Sequence, residues 1–190
     1  MLCLRRPDDD QIRQFLDSQA SLTWTYAAVG GTAADIPPGY VLDHTRVLLG
    51  EGDAVFRAAC SGLREWRQFD LGWVAAHRRD TPLFKGSTVA IVARLFGCWW
   101  LNACRIIYTI DEPGRFGFAY GTLPDHAEQG EERFLVEQDQ DGAVWYDILA
   151  FSRPQKWLAR IGYPYVRRVQ KRFARDSCQA MKRWVTGAAD

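Results

Sequence analysis

The chain has 190 residues, of which 47% are hydrophobic and 25% are charged, and its formal net charge is +1 at pH 7. This length suits one domain with a sizeable core and is short for two, and the composition is that of an ordinary globular protein. Eight Trp, seven Tyr and ten Phe predict many aromatic rings in the core or around a ligand.

The small net charge conceals two regions of opposite sign. Residues 154–190 carry nine Lys or Arg against Asp176 and Asp190, whereas residues 125–141 carry seven acidic residues against Arg133. The C-terminal segment is therefore the basic part of the chain, and the stretch around residue 130 is the acidic part.

The cysteines and the N-terminus indicate the cellular location. The five cysteines are an odd number, are widely spaced and include no C-x-x-C pair, so they favour neither zinc nor redox chemistry. No signal-peptide pattern precedes them, and Arg94, Asn102 and Arg105 interrupt the longest apolar stretch, residues 89–110. We therefore expect a cytoplasmic protein with no transmembrane segment.

A single domain is predicted over residues 1–190, and its first 39 residues predict a short helix and an extended segment. Asp8 is a candidate N-cap, Gln11 follows three positions later as a capping box requires, and Ile12 and Phe15 begin an apolar stripe. The Gly-, Pro- and Ala-rich sequence that ends at residue 39 then predicts a connecting loop.

The main part, residues 40–186, predicts a strand, a helix, six further strands and a long final helix. Residues 40–50 alternate as a strand does, and apolar residues between Asp53 and Trp66 recur with helical spacing. The period then changes to two, with short turns that suit antiparallel hairpins. The six strands are predicted over residues 73–77, 88–96, 99–111, 115–123, 131–138 and 144–151. A short helical turn around Trp157–Ile161 and a long helix from about Pro164 should then cover one face of this sheet.

This order of elements resembles the helix-grip (START-like) fold, an α+β fold in which a curved antiparallel sheet wraps a long helix and encloses a cavity. The stretches RFGFAYGTLPDHAEQGEERF (115–134), VWYDILAFSRP (144–154) and GYPYVRRVQKRFARDS (162–177) resemble motifs of an uncharacterised family of bacterial and plant proteins in that superfamily. The resemblance covers about residues 22–181 and implies about seven strands around a long C-terminal helix. For the superfamily it implies binding of lipids, sterols, polyketides or other apolar molecules, and in some branches cyclase or hydrolase chemistry. It transfers no functional residue, because the matched family has no assigned activity.

The strand predicted over residues 115–123 has a face of small residues. Gly117, Ala119 and Gly121 form this face, and the opposite face carries aromatic side chains with Tyr120 and Thr122 near its end. Small residues at alternate positions indicate the close approach of a ligand or of another element, and packing against the long helix is the favoured interpretation. In the reverse arrangement, the Tyr120 and Thr122 hydroxyls face the cavity.

One imidazole and three carboxylates follow this strand, from His126, Glu128, Glu131 and Glu132. Such ligands suit iron, manganese or zinc, but they lack the helical H-x-x-x-H or E-x-x-H spacing, and acidic loops are usually solvated. We therefore expect no metal and no cofactor. Acid–base chemistry by His126 with Glu128 or Glu131 stays open and requires burial of these groups.

The other charged residues of the last two strands favour structural ion pairs. Glu131, Arg133 and Glu137 share one face of their strand, where a cross-strand Glu–Arg pair on the exposed side is the common meaning of such charges. Asp147 shares a face with apolar residues and must be paired or neutral, and Arg105 is a candidate partner. No G-x-S-x-G nucleophile elbow and no phosphate-binding glycine loop occurs in the sequence.

Three functions from different classes are compatible with these patterns. The first is binding of a small, largely apolar molecule in the cavity. The side chains predicted to contact this molecule are Tyr26, Tyr120, Thr122, His126, Glu131 and Trp145. The second is an enzyme that uses His126 with Glu128 or Glu131 as acid and base. The third is an interaction protein whose basic helix face, residues 166–175, binds an anionic partner, although the absence of interleaved aromatic residues makes nucleic acid an improbable one.

Overall fold

A computed structural model describes residues 1–77, 79–155 and 162–187 of the chain. Within these residues the strands are β1 Leu2–Cys3, β2 Val41–Glu51, β3 Val74–His77, β4 Thr88–Leu95, β5 Cys98–Glu112, β6 Arg115–Thr122, β7 Glu128–Gln138 and β8 Ala143–Pro154. The α-helices are α1 Asp9–Gln19, α2 Asp53–Arg64 and α3 Tyr163–Gly187, with short 3₁₀ turns at Gly31–Ala33 and Arg67–Phe69. The helical turn predicted around Trp157–Ile161 lies outside the described residues.

The strands form one antiparallel sheet in the order β2-β8-β7-β6-β5-β4-β3, and β1 pairs with the first part of β5. Consecutive hairpins build it from β3 to β8, and the tight turns place Gly114 and Gly142 at positive φ, which glycine adopts without strain. Register shifts in β2 and in β5 mark bulges, which bend strands. The predicted antiparallel sheet is confirmed, although β7 begins at Glu128, three residues earlier than the pattern indicated.

The inner face of the sheet packs against α2 and α3. Trp66, Phe118 and Phe134 are fully buried there, and the Trp66 and Phe118 rings meet edge to face with centroids 4.9 Å apart. The two helices approach closely at Gly62, where an added Cβ would lie 3.0 Å from the indole nitrogen of Trp184. The long C-terminal helix against the sheet is therefore confirmed, and it starts one residue before Pro164.

The outer face of the sheet is covered by the first 40 residues. The predicted capping box starts α1, since the N–H of Gln11 donates to the Asp8 carboxylate at 2.8 Å. This helix packs its apolar stripe onto the outer side of β4 and β5, and the segment after it places Tyr26 edge-on against Phe151, with ring centroids 5.7 Å apart. The sheet therefore has a covering layer on each face.

This outer layer overturns one prediction about β6. The small-residue face does not meet the long helix, because a Cβ added at Gly121 would collide with the Tyr26 hydroxyl and lie 2.9 Å from the Trp24 ring. Gly121 thus makes room for the N-terminal segment, whereas a Cβ at Gly117 would collide with the Phe134 carbonyl of the neighbouring strand, and the aromatic face of β6 points inward. Within the described residues, no helix carries an apolar stretch of the length that a bilayer crossing needs.

Candidate functional site

A cavity of about 820 Å³ lies between the inner face of the sheet and α3. Its walls are largely aromatic and aliphatic because the inward positions of the strands and the inward stripe of α3 are apolar. The principal apolar lining residues are Phe69, Trp73, Ile91, Ile148, Val169 and Phe173. The lining also contains a group of polar side chains, in which Gln170 contacts Glu128 and the charges of Glu128 and Asp43 act on Glu132. We call this group the polar end, and its residues are Asp43, Tyr120, Thr122, His126, Glu128, Glu132 and Gln170.

Glu132 is an acidic residue on the apolar inner face of β7. The Tyr120 hydroxyl of β6 donates a hydrogen bond to its carboxylate at 2.6 Å. The pKa of Glu132 is raised to about 7. Burial is the main cause, the hydrogen bond from Tyr120 opposes it, and the charges of Glu128 and Asp43 add to the rise. The Glu132 carboxyl therefore changes its protonation state near neutral pH while it faces the cavity.

Glu128 and Asp43 complete the acidic side of the polar end. The side-chain amide of Gln170 donates to both Glu128 oxygens, at 2.7 and 2.8 Å, and burial raises the pKa of the Glu128 carboxyl. Arg167 donates to both oxygens of Asp43 through its two terminal nitrogens. The guanidinium of Arg167 therefore forms a bidentate ion pair with the Asp43 carboxylate.

His126 and Thr122 also line this end. The N–H of Glu128 donates to Nδ1 of His126 at 3.0 Å, which holds the ring beside the start of β7. The Thr122 hydroxyl accepts from the N–H of Gly130 at 3.0 Å and lies 2.6 Å from the Thr25 hydroxyl. The structure therefore places Tyr120, Thr122 and His126 in the lining of one cavity. Their contact with a ligand stays a prediction.

The Glu131 carboxylate points to the other side of the sheet. It accepts hydrogen bonds from the Tyr26 hydroxyl at 3.0 Å and from the N–H groups of Gly30 and Thr32 at 2.7 and 2.9 Å. Because successive strand residues alternate between faces, Glu131 fastens the N-terminal segment while Glu132 faces the cavity. The Glu131 carboxylate therefore points away from the cavity, contrary to the predicted contact with a ligand. The predicted cross-strand Glu–Arg pair is present on the same strand at Glu137, to which Arg115 of β6 donates at 3.0 Å.

Tyr26 and Trp145 were expected as walls of the cavity, and both lie on the outer face instead. Tyr26 belongs to the N-terminal segment and packs against the outer face of the sheet. Burial and the nearby Glu131 charge raise the pKa of its hydroxyl there. The indole N–H of Trp145 donates to Asp139 at 3.1 Å, and its ring lies 5.2 Å from the guanidinium of Arg46. Neither residue contributes a surface to the cavity.

Asp147 is buried and paired, as the sequence predicted, but with a different partner. Arg133 donates to it at 2.9 Å, and Nε2 of His44 lies 2.6 Å from its other oxygen. Arg105, the expected partner, donates instead to backbone carbonyls at the end of α1 and just after it. This network lies on the outer face, so it holds the sheet and takes no part in the cavity.

The sequence analysis named Glu132, the residue that best marks the site, only as a possible metal ligand and not among the predicted ligand contacts. Glu132 shares a face with Phe134 and Val136, and an acid in an apolar strand face was the signal that led us to Asp147. The contribution of Gln170 carried no such signal, because polar residues are common along an amphipathic helix. Among the described residues, no cluster of three or more His, Cys, Asp or Glu has the geometry to hold a metal ion.

In the helix-grip class of protein, a curved antiparallel sheet wraps around a long C-terminal helix, and a cavity lies between the sheet and the helix. This chain has that architecture. Solved structures show the same fold: a hypothetical protein from Helicobacter pylori is 13% identical, with 86% of this chain and 99% of that one covered and a TM-score of 0.60. A norcoclaurine synthase from Thalictrum, solved as a point mutant in complex with a transition-state analogue, is 9% identical, with coverage of 82% and 100% and a TM-score of 0.55.

Within this class, the chain belongs to the UPF0548 family, whose model is described as a domain of unknown function, DUF1990, and matches residues 25–180. A UPF0548 protein of Dictyostelium discoideum is 37% identical, with 95% of this chain and 94% of the relative covered. Another from Deinococcus radiodurans is 37% identical, with coverage of 96% and 98%. The predicted membership of an uncharacterised helix-grip family is confirmed.

Proposed function

We propose that this protein binds a small, largely apolar molecule in the cavity between the sheet and α3. The observation that carries the proposal is the 820 Å³ cavity itself, which is walled by aromatic and aliphatic side chains and is polar at one end. Pockets for small molecules commonly enclose roughly 300–1,000 Å³. Each Å² of apolar ligand surface buried there would contribute about 25 cal/mol to affinity.

The polar end would fix the orientation of the bound molecule. Of the contacts predicted from the sequence, the proposal retains Tyr120, Thr122 and His126, and it adds Glu132 and Gln170. The Thalictrum synthase, solved in complex with a transition-state analogue, is compatible with this use of the fold. The proposal includes a cytoplasmic location, because all five cysteines are free thiols, as a reducing compartment would leave them.

A fluorescence titration with N-phenylnaphthylamine, an uncharged dye that brightens in apolar surroundings, tests the proposal. Ala150 lies on the inner floor of the cavity, so Ala150→Phe should weaken dye binding by occupying that space. Leu48→Phe, at an exposed position of β2, is the matched control and should bind as the unmodified protein does. Failure of the unmodified protein to bind dye, or equal binding by Ala150→Phe, would contradict the proposal.

Acid–base catalysis on the bound molecule is the second candidate function. The observation that favours it is the Tyr120–Glu132 pair, a phenol and a carboxyl 2.6 Å apart that face the cavity, with the carboxyl pKa near 7. The sequence suggested a different combination, His126 with Glu128 or Glu131. Glu131 is bound on the outer face, whereas His126 and Glu128 both line the cavity. Its test is to incubate extract of the host with unmodified protein and with Glu132→Gln and compare the metabolites by mass spectrometry. A metabolite consumed only by the unmodified protein, at equal dye affinity, supports catalysis, and identical profiles speak against it.

A further inference from the structure

We propose that the cavity selects amphipathic amines, molecules with one cationic nitrogen on an apolar body, and that Glu128 and Glu132 receive the nitrogen. This inference rests on the proposed function and specifies its ligand class. It is based on which charges the polar end contains, on how they are already paired and on the apolar space beside them.

The two glutamates accept their side-chain hydrogen bonds from uncharged donors, and the charge of Arg167, which lowers the pKa of Glu128, acts on it without a direct contact. Tyr120 contacts Glu132 at 2.6 Å and Gln170 contacts Glu128 at 2.7 Å, and both are uncharged donors. Among the residues that the structure describes, neither glutamate forms an ion pair with Lys, Arg or His. Arg167, the guanidinium at this end, is held by both oxygens of Asp43.

An ammonium group satisfies this arrangement better than other common head groups. It donates up to three hydrogen bonds and carries the charge that the two carboxylates lack, whereas a carboxylate or phosphate would add a third like charge in a buried site. A hydroxyl group would donate one hydrogen bond without relieving the repulsion between the glutamates. The polar end therefore discriminates by charge as well as by hydrogen bonding.

Basic residues do reach the rim of the cavity from α3. Lys171, Arg175 and Lys182 are exposed to water there, so solvent screens their charges. The Glu128 and Glu132 carboxyls, by contrast, are desolvated enough for burial to dominate the shifts in their pKa values. The buried acids therefore outweigh the exposed bases in selecting the charge of a ligand inside the cavity.

The rest of the cavity specifies the body of the ligand. Phe69, Trp73 and Phe173 line the walls beside the polar end, and such rings pack well against hydrocarbon or aromatic groups. A ligand of this class thus places its nitrogen at the glutamates and its apolar part against α3 and the aromatic residues.

Calorimetric titration with three probes of one shape tests the inference: phenylbutylamine, phenylbutanol and phenylbutyrate, which carry a cationic, a neutral and an anionic head group. At about pH 8, above the Glu132 pKa of about 7, the amine should bind about tenfold or more tightly than the alcohol, and the acid most weakly. Glu132→Gln should reduce the amine preference, and Glu132→Gln combined with Glu128→Gln should bring the amine affinity close to that of the alcohol while leaving the alcohol affinity unchanged. Glu51→Gln, at an exposed position, should retain the full preference.

The outcomes separate this inference from the function on which it rests. Equal binding of amine and alcohol, or a preference for the acid, overturns the amine selectivity and leaves binding in the cavity intact. An amine preference that survives undiminished when both Glu128 and Glu132 are replaced by Gln overturns the assignment of the nitrogen site. If none of the three probes binds and the uncharged dye also fails to bind, the proposed function itself falls.

Discussion

Replacement of Glu132 by Gln should stabilise the protein at alkaline pH and change little under acidic conditions. The Glu132 pKa is about 7 in the folded protein, against 4.5 for an exposed glutamate. The folded state therefore binds this proton more tightly than the unfolded state does, so protonation favours folding. Stability conferred by the neutral carboxyl is complete below about pH 4.5 and is lost as the pH rises to about 7. At 1.36 kcal/mol for each pH unit, ionisation costs about 3 kcal/mol of unfolding free energy.

Urea unfolding followed by tryptophan fluorescence, from about pH 4 to pH 8, measures this effect. The side chain of Gln cannot ionise and still accepts the hydrogen bond from Tyr120, so Glu132→Gln should lack the loss of stability that the unmodified protein shows. The difference between the two proteins should grow to about 3 kcal/mol by pH 8. Glu51→Gln, at an exposed position, should follow the unmodified protein at every pH. A difference between Glu132→Gln and the unmodified protein that does not vary with pH would refute the burial of an ionisable Glu132.

Three further predictions concern the outer layer and the basic helix. Gly121→Ala should lower the free energy of unfolding in urea by about 1–3 kcal/mol, because the added Cβ collides with Tyr26. Gly187→Ala is the control and should be nearly neutral, because a Cβ there meets no atom within 4 Å. Equal losses of stability in the two variants would contradict the close packing at Gly121. Glu131→Gln should lower the free energy of unfolding by about 2–4 kcal/mol, because charge-assisted hydrogen bonds to the N-terminal segment are lost. Amide hydrogen exchange at Gly30 and Thr32 should become faster, and unchanged exchange would contradict this role of Glu131. Duplex DNA should not bind at low salt in a fluorescence-anisotropy titration, and salt-sensitive binding would show that the basic face of α3 is a functional surface.

Local pattern was sufficient to predict most of the elements. Asp8 and Gln11 predicted the start of α1, the alternation after Trp73 predicted the antiparallel strands, and Pro164 located the start of α3 to within one residue. These features depend on neighbours within a few residues in the chain, where capping, side-chain period and the fixed φ of proline act. The same reasoning predicted that Asp147 would be paired, because burial of a carboxylate among apolar neighbours is costly unless a hydrogen-bonding or charged partner is present.

What the sequence determined by itself was the order of the elements, the alternation of each strand and the family to which the motifs belong. Tertiary structure alone decided which face of β6 looks inward, that Glu132 rather than Glu131 meets the cavity, and that Arg133 rather than Arg105 pairs with Asp147. The physical reason is that alternation along a strand assigns its residues to two faces but does not determine which of the two faces packs against the helices. Here the N-terminal segment decided the question, because its aromatic residues fit only over the small-residue face around Gly121 and thereby turned the aromatic face and Glu132 toward α3.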